Sequence, residues 1–143
     1  MVKMDKFDQH LVSMLRSNAR TPVVLLAKQL GVSRATVQNR MRRLEASGVI
    51  LGYTVTLKPS AETHPIKAFM SIAVEGKKAE RVIKGLLGFP AITAIHYTNG
   101  RWDLVADIRT DTIEAFNGLL GNVRLIDGVV ATETSLLLDT LKR

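Results

Sequence analysis

Residues 26–39 read Leu-Ala-Lys-Gln-Leu-Gly-Val-Ser-Arg-Ala-Thr-Val-Gln-Asn, and this stretch decides the fold of the first part of the chain. Ala27 is small, Gly31 follows four residues later, and Val37 follows six residues after Gly31. A small residue lets two helices cross closely, a glycine accepts the positive φ of a tight turn, and a buried valine anchors the second helix. The spacing therefore predicts a helix-turn-helix.

The flanking residues predict three helices within residues 1–50. Asp5 is a suitable N-cap for the first helix and Ser33 for the third, which Gly48 ends. The second helix begins with Thr21 as its N-cap and Pro22 as its first residue. Apolar side chains recur at helical spacing in all three helices: Leu11, Met14 and Leu15; Val23, Leu26, Ala27 and Leu30; and Val37, Met41 and Leu44.

The third predicted helix has an outward face suited to double-stranded DNA. Arginine reaches guanine O6 and N7, and glutamine or asparagine reaches adenine N6 and N7. Arg40, Arg42 and Arg43 add positive charge suited to phosphates. Ser33, at the start of the helix, offers phosphates its hydroxyl and backbone N–H donors. We expect seven residues to contact DNA: Ser33, Arg34, Ala35, Gln38, Asn39, Arg42 and Arg43. The polar surface of an ordinary helical bundle is the alternative interpretation.

The charge of the chain is concentrated in the same segment. The 143 residues carry 20 Lys and Arg against 13 Asp and Glu, a net charge of +7. Residues 1–50 hold nine cationic and three anionic side chains, so +6 lies there and only +1 lies in residues 51–143. A basic segment joined to a near-neutral one is typical of a module that binds a polyanion attached to a second module.

Several classes of protein are excluded by composition. At 46% hydrophobic residues the chain is too apolar to be disordered. The absence of cysteine excludes disulfides, thiolate zinc sites and a thiol nucleophile, and it fits a cytoplasmic location. The three histidines, His10, His64 and His96, lack the spacing of metal ligands, so we expect neither a metal nor a cofactor. The longest wholly apolar run has five residues, too few for a membrane span.

After Gly48 the apolar residues change to strand periodicity. Residues 49–57 are rich in strand formers, so residues 51–65 are predicted as a connecting strand and linker. From Ile66 apolar residues alternate along the chain, which places five of them on one face of the predicted strand: Ile66, Ala68, Met70, Ile72 and Val74. Phe69 makes the other face partly apolar, which suits either a second subunit or cover by the first domain.

Residues 66–143 are predicted as one small domain. Helices are expected over residues 79–89 and 112–120, and further strands over residues 92–98, 102–109 and 129–138. Asn99-Gly100 is predicted as a two-residue hairpin turn. The order strand, helix, strand, strand, helix, strand is that of the ferredoxin-like βαββαβ fold, with an antiparallel sheet and both helices on one face. The whole chain is therefore expected to be α+β.

Four sequence motifs together resemble the leucine-responsive/asparagine-regulator family, also called Lrp/AsnC or feast/famine regulators. The motifs are Asp5-x-x-Asp8, Leu26-Ala27 with Gly31-Val32-Ser33, Arg43-Leu44-Glu45 with Gly48-Val49-Ile50-x-Gly52-Tyr53, and Gly100-x-x-Asp103. The resemblance covers nearly the whole chain. Leu104 departs from the family pattern, in which an aromatic residue often follows the aspartate.

The resemblance implies a winged-type helix-turn-helix domain followed by a ferredoxin-like domain. The second domain would bind a small-molecule effector, an amino acid or a relative, and would assemble homodimers into larger homo-oligomers. Gly100 would allow close backbone approach, and Asp103 would accept a hydrogen bond from an α-amino group. The implied effector residues are Thr98, Asn99, Gly100, Arg101, Trp102 and Asp103, with Thr132 and Thr134 of a neighbouring subunit. A plain structural hairpin is the alternative for this loop.

The predicted function is a sequence-specific transcriptional regulator that is not an enzyme. Some relatives with the same two-domain layout are sirohaem decarboxylases, for which His96 would be a candidate residue, although a strand histidine needs no such role. A third possibility is an architectural DNA-binding protein that responds to no effector. The sequence leaves these alternatives open.

Overall fold

The computed structural model describes residues 3–142, so residues 1, 2 and 143 of the predicted domains lie outside the described residues. The chain divides into two compact units, the first ending at Thr56 and the second beginning at Leu57. The predicted linker of residues 51–65 spans this division. Each unit is described by itself.

The first unit contains three helices, α1 (Lys6–Ser17), α2 (Val23–Leu30) and α3 (Arg34–Ala46). α1 begins with a capping box, in which the Asp5 carboxylate accepts from the Asp8 N–H at 2.8 Å and the Asp8 carboxylate accepts from the Asp5 N–H at 3.3 Å. Both contacts satisfy backbone donors that a helix start leaves without partners. The predicted start of the first helix is therefore confirmed.

The turn between α2 and α3 has the predicted geometry. Gly31 takes the left-handed conformation with φ 68° and ψ 32°, and the Val32 N–H donates to the Ala27 carbonyl at 3.0 Å. The Ser33 hydroxyl caps α3 by accepting from the Thr36 N–H at 3.2 Å. The helix-turn-helix is confirmed. Its buried core consists of Leu11, Leu15, Leu26, Ala27, Val37 and Leu44.

The predicted start of the second helix is wrong by one residue. Pro22 occupies the N-cap position, and its carbonyl accepts from the Leu26 N–H at 3.1 Å. The Thr21 hydroxyl instead donates to the Asn18 carbonyl at 2.7 Å, and no side chain caps α2. Thr21 therefore stabilises the turn before the helix.

The predicted connecting strand over residues 49–57 and the wing are not formed. Among the described residues, those of the first unit form helices and turns, and all four strands belong to the second unit. A strand requires a neighbour to accept and donate its hydrogen bonds, and the described part of this unit offers none. Leu51 is 94% exposed and Val55 78% exposed, so the strand-like pattern of this segment faces outward.

The second unit is ferredoxin-like. Its elements are β1 (Ile66–Val74), α4 (Ala79–Leu87), β2 (Ile92–Tyr97), β3 (Leu104–Thr110), α5 (Ile113–Arg124) and β4 (Val129–Leu136), with short 3₁₀ turns at Pro59–Ala61 and Gly76–Lys78. The four strands form one antiparallel sheet in the order β2-β3-β1-β4. This order confirms the predicted α+β class and the βαββαβ arrangement.

Both helices pack on one face of this sheet. Ala68, Met70 and Ile72 of β1 are buried, which confirms the predicted inward face. The same core holds Leu104, Ala106, Ile108, Val82, Leu86, Phe116, Leu119 and Val123. On the opposite face Phe69 is 43% exposed, so within the second unit that side of the sheet is uncovered.

The predicted two-residue hairpin turn at Asn99-Gly100 is wrong. β2 ends at Tyr97 and β3 begins at Leu104, which leaves a six-residue connection over residues 98–103. Neither Asn99 nor Gly100 has a positive φ, whereas a type I′ turn requires one at both central residues. The wider loop forms because the Thr98 N–H donates to the Asp103 carbonyl at 3.2 Å, closing the connection at its base.

No helix among the described residues is both long enough and apolar enough to cross a membrane.

Candidate DNA-binding face and effector loop

The seven residues predicted to contact DNA are all exposed, and six of them follow Ser33 along α3. Val37 and Leu44 are fully buried on the opposite side of the same helix, which fixes the direction in which the outward face points. Among the described residues, the side chains of Arg34 and Gln38 make no hydrogen bond or ion pair. These two side chains are therefore free to contact base edges.

Arg42 and Asn39 form a pair on this surface. The Arg42 guanidinium donates to the Asn39 side-chain oxygen at 2.7 Å and to the Gln38 carbonyl at 3.4 Å. Both contacts are solvent-exposed, and an exposed contact of this kind exchanges readily for a base or a phosphate. Arg42 is thus available to DNA at the cost of these two local hydrogen bonds.

Arg43 and Arg40 have a different environment because they contact α1. The Arg43 guanidinium lies 2.5 Å from the Asp8 carboxylate, and that of Arg40 lies 2.5 Å from Asp5 and 3.2 Å from Asp8. Arg40 also lies over the Phe7 ring at 5.1 Å from its centroid. Arg40 therefore joins two helices rather than facing a phosphate. The Arg43 side chain is half-exposed and forms an ion pair with Asp8 of α1.

The charges of this cluster are mutually stabilised. The Asp8 N–H and then the Arg40 guanidinium lower the pKa of Asp5 below its usual value. The hydrogen bond to Asp5 is the largest cause that raises the pKa of Arg40. The Asp5-x-x-Asp8 motif is visible in the sequence as a helix start, but its contacts with α3 are not, because they join residues more than 30 positions apart.

The segment after α3 has one side-chain contact that sequence reasoning missed. The Tyr53 hydroxyl donates to the Glu45 carboxylate at 2.8 Å, which ties this segment to the end of α3. Burial, and then the hydrogen bond to Glu45, raises the pKa of the Tyr53 hydroxyl.

The predicted effector loop is exposed and tied to β1. The Asp103 carboxylate accepts from the Val74 N–H at 2.7 Å, and the Asp103 N–H donates to the Ile72 carbonyl at 3.0 Å. The Thr98 hydroxyl donates to the Trp102 carbonyl. One carboxylate oxygen of Asp103 is therefore used within the chain, at the irregular position where β1 and β4 shift register.

The remaining loop residues are accessible. The Arg101 guanidinium lies 5.5 Å from the centroid of the Trp102 ring, and Asn99 is exposed at the tip of the loop. A side chain built on Gly100 would meet nothing within 4 Å, so the chain itself does not require glycine there.

Thr132 and Thr134 lie on β4 opposite Ile72 and Met70. Directly opposed residues of an antiparallel pair share one face, so both threonines point to the helix-covered side, where they are half-buried. The structure places Thr132 beside Ile72, the same β1 residue that binds the loop through Asp103. Within one chain, the loop and Thr132 thus flank β1 from opposite sides.

His96 is a paired strand residue. Its Nε2 lies 3.3 Å from the Asp107 carboxylate, and its side chain is 56% exposed. Among the described residues there is no group of three or more ligating side chains that could hold a metal ion.

Family models match both units. The AsnC-type helix-turn-helix domain matches residues 4–45, and the Lrp/AsnC ligand binding domain matches residues 67–143. The chain belongs to the Lrp/AsnC family of transcriptional regulators. This Lrp/AsnC regulator thus has a DNA-binding helix-turn-helix unit and a ligand-binding unit, as the resemblance implied.

Individual relatives agree with this assignment. The chain is 31% identical to the HTH-type transcriptional regulator FL11 of Pyrococcus horikoshii, over 99% of this chain and 93% of that one. It is 32% identical to the regulatory protein AsnC of Haemophilus influenzae, over 94% and 91%. The structure of E. coli AsnC superposes with a TM-score of 0.84 at 26% identity, covering 99% of this chain and 97% of that one.

A further solved structure shares the fold. It is the transcriptional regulator NMB0573 of Neisseria meningitidis in complex with L-Met, with a TM-score of 0.83 at 21% identity, covering 99% of this chain and 94% of that one. The relatives are named as transcriptional regulators, which confirms that this Lrp/AsnC protein is not an enzyme and removes the decarboxylase alternative.

Proposed function

We propose that this Lrp/AsnC regulator reads specific DNA sequences with the outward face of α3, that it acts as a homodimer, and that an amino acid bound to the second unit changes its DNA binding. The observation that carries the DNA-reading proposal is that all seven residues predicted to contact DNA are exposed on α3 and its N-cap. A helix is narrow enough to enter the major groove, where each base pair presents a distinct pattern of donors and acceptors.

Three side chains of α3 are the proposed base readers. The side chains of Arg34 and Gln38 have no partner among the described residues, and Arg42 exchanges its contact with Asn39. The Ser33 hydroxyl and the first N–H groups of α3 are the proposed phosphate contacts, because the start of a helix favours anions. Ala35 follows Arg34 and Asn39 follows Gln38, and both are exposed.

The homodimer is supported by the segment that follows α3. Among the described residues, those at positions 51–56 form no backbone hydrogen bond. If two copies pair antiparallel about Thr54, Leu51 of each copy lies opposite Leu57 of the other, and Tyr53 lies opposite Val55. This self-complementary pattern satisfies the strand preference of the segment only when a second chain is present.

The uncovered sheet face of the second unit offers a further dimer contact. Phe69, Ala73 and Val105 lie on that face, with Phe69 at its centre between β3 and β4. Two such faces would pack as two stacked sheets, about 10 Å apart. Higher assemblies of this dimer, and its cytoplasmic location, stay predictions.

The effector is proposed to be an amino acid that binds at the loop over residues 98–103. The Neisseria relative was solved with L-Met, an amino acid, which supports the ligand class. The second carboxylate oxygen of Asp103 has no partner in the described chain and is available to an α-amino group. Thr132 and Thr134 of a neighbouring subunit are the proposed further contacts.

Selection from a pool of random DNA duplexes tests the DNA proposal. Because a two-fold dimer presents two copies of α3, we expect the wild-type chain to enrich a palindromic motif with half-sites about 34 Å apart, or a multiple of one helical turn. Binding without an enriched motif would favour the architectural alternative.

A thermal-shift screen of the twenty amino acids tests the effector proposal. A ligand that binds only the folded chain raises the unfolding midpoint by mass action. The same amino acid is expected to change DNA affinity, and DNA should then change the affinity for the amino acid by the same factor, because coupling between two sites is reciprocal. No shift with any amino acid would contradict the proposed effector class.

A further inference from the structure

Asp8 is the one charged residue that is fully buried among the described residues. Its carboxylate accepts from three donors: the Asp5 N–H at 3.3 Å, Arg40 at 3.2 Å and Arg43 at 2.5 Å. A carboxylate without such partners would not remain charged in an apolar core. The two arginines of α3 are therefore held by the buried carboxylate of α1.

Arg40 is held on several sides at once. Its guanidinium contacts both carboxylates of the α1 capping box and lies over the Phe7 ring at 5.1 Å. Arg40 and Arg43 are three residues apart, close to one turn, so both project from the same side of α3. Two anchors on one side of a helix fix its rotation about its own axis.

That rotation determines what the outward face of α3 presents to DNA. Side-chain tips lie about 5 to 6 Å from a helix axis, so a rotation of about 20° displaces them by about 2 Å. A displacement of this size breaks a bidentate contact between a side chain and a base edge. Contacts to phosphates tolerate it, because lysine and arginine reach the DNA backbone from many directions.

We propose that Asp8 is a positioning residue for DNA recognition, which fixes the rotation of α3 through Arg40 and Arg43. The proposal rests on the proposed function, since it requires α3 to read base edges. It has a second consequence, because Asp8 withdraws the Arg43 guanidinium from phosphates. Loss of the Asp8 charge therefore weakens sequence discrimination and strengthens binding to DNA of any sequence.

The test compares Asp8→Asn with the wild-type full chain. Asparagine keeps the shape and one acceptor oxygen for the Asp5 N–H, but it removes the charge that holds the arginines. The probes are the duplex that the wild-type chain selects from a random pool and a scrambled duplex of the same composition. Both affinities are measured over a series of salt concentrations, at a temperature well below the unfolding midpoints of both proteins.

We expect the ratio of the two affinities to fall by about fivefold or more, the size of one lost bidentate base contact. Binding to the scrambled duplex should be retained or tighter, and its salt dependence should steepen by about 0.9 in log–log slope for each arginine that gains a phosphate. A merely structural role would weaken both duplexes by the same factor and would leave the ratio unchanged.

Arg43 supplies a matched pair of controls. Arg43→Lys keeps a cation beside Asp8 and should keep most of the discrimination, whereas Arg43→Gln should lose it. This pair decides the question if Asp8→Asn does not fold. Asp5→Asn removes only the exposed partner of Arg40 and should have a smaller effect.

An unchanged ratio in folded Asp8→Asn, or equal ratios in the two Arg43 variants, would overturn the positioning role while leaving the proposed function intact. A wild-type chain that selects no sequence would overturn the proposed function and the positioning role together.

Discussion

The two surfaces that we propose for DNA and for the effector differ in how they are held. The outward face of α3 belongs to a capped helix with a buried apolar side and two arginines anchored on α1. The loop over residues 98–103 belongs to no regular element and depends on the contacts of Thr98 and Asp103. A surface that reads base edges requires fixed geometry, whereas a surface that responds to a ligand requires an element that is able to change.

Removal of the buried carboxylate of Asp8 should have the largest effect. Asp8→Ala leaves two arginines without their buried partner and removes half of the capping box of α1, so we expect it to lower the free energy of unfolding by about 3 to 5 kcal/mol. Denaturant unfolding of the full chain measures this. Asp5→Asn, which removes an exposed charge but keeps an N-cap oxygen, should cost clearly less. Equal losses would show that burial of Asp8 is not what matters.

Two glycines provide the next test. Gly128 has φ +106°, and a Cβ there would lie 2.7 Å from Cβ of Lys78 and 2.9 Å from the Val82 side chain. We expect Gly128→Ala to destabilise the second unit by about 1 to 3 kcal/mol through backbone strain and overpacking. Gly100→Ala should change stability little, because Gly100 has neither a positive φ nor a close neighbour. Thermal unfolding compares the two variants, and a larger loss for Gly100→Ala would show that the loop is packed differently.

Loss of the Asp103 side chain should affect ligand response without affecting DNA recognition. Asp103→Ala removes the acceptor of the Val74 N–H, which is worth about 1 kcal/mol for an ordinary hydrogen bond. Hydrogen exchange at the Val74 amide should become faster, and the thermal shift caused by the effector should disappear. DNA affinity without effector should stay at the wild-type value, and a fall in that affinity would mean that the two surfaces are not separable.

The smallest expected effect concerns acid stability. Lys78 and then Arg81 lower the pKa of Asp127 below its ordinary value of 3.8 through hydrogen bonds. A carboxyl whose pKa is lower in the folded state contributes stability above the ordinary value, and that contribution is lost as the pH falls through the folded value. Asp127→Asn should therefore lose less stability than wild type between about pH 5 and pH 3. Asp139→Asn, which alters an exposed carboxylate without a cation partner in the described chain, is the control and should follow wild type.

The elements that could be predicted from the sequence are those whose pattern is local. Helical spacing places Val37 and Leu44 inward and thereby places Gln38 outward, and alternation places Met70 inside the sheet. Each of these directions follows from a period of about 3.6 or 2 residues. The fold and the proposed DNA-binding face therefore follow from the spacing of apolar residues along the chain.

Apart from the start of α2, which is displaced by one residue, the errors occurred where distant residues decide the conformation. The segment after α3 has a strand pattern but no partner strand among the described residues, and Asn99-Gly100 is opened into a wider loop by Asp103 and Ile72. The contacts of Asp8 with Arg40 and Arg43 likewise join positions far apart in sequence. Local propensity carries no information about such pairs.

The role of α3 as the helix that reads DNA is tested most directly by the base preference of Gln38→Ala compared with that of wild type, measured by selection from the same random pool of duplexes. The Gln38 side chain is exposed on the outward face of α3 and makes no hydrogen bond in the described chain, so its loss should leave folding unchanged. We predict that preference relaxes at one position of each half-site, by about 1 to 3 kcal/mol, while the other positions keep their preference. An identical preference profile for the two proteins would contradict the assignment of α3 as the reading helix.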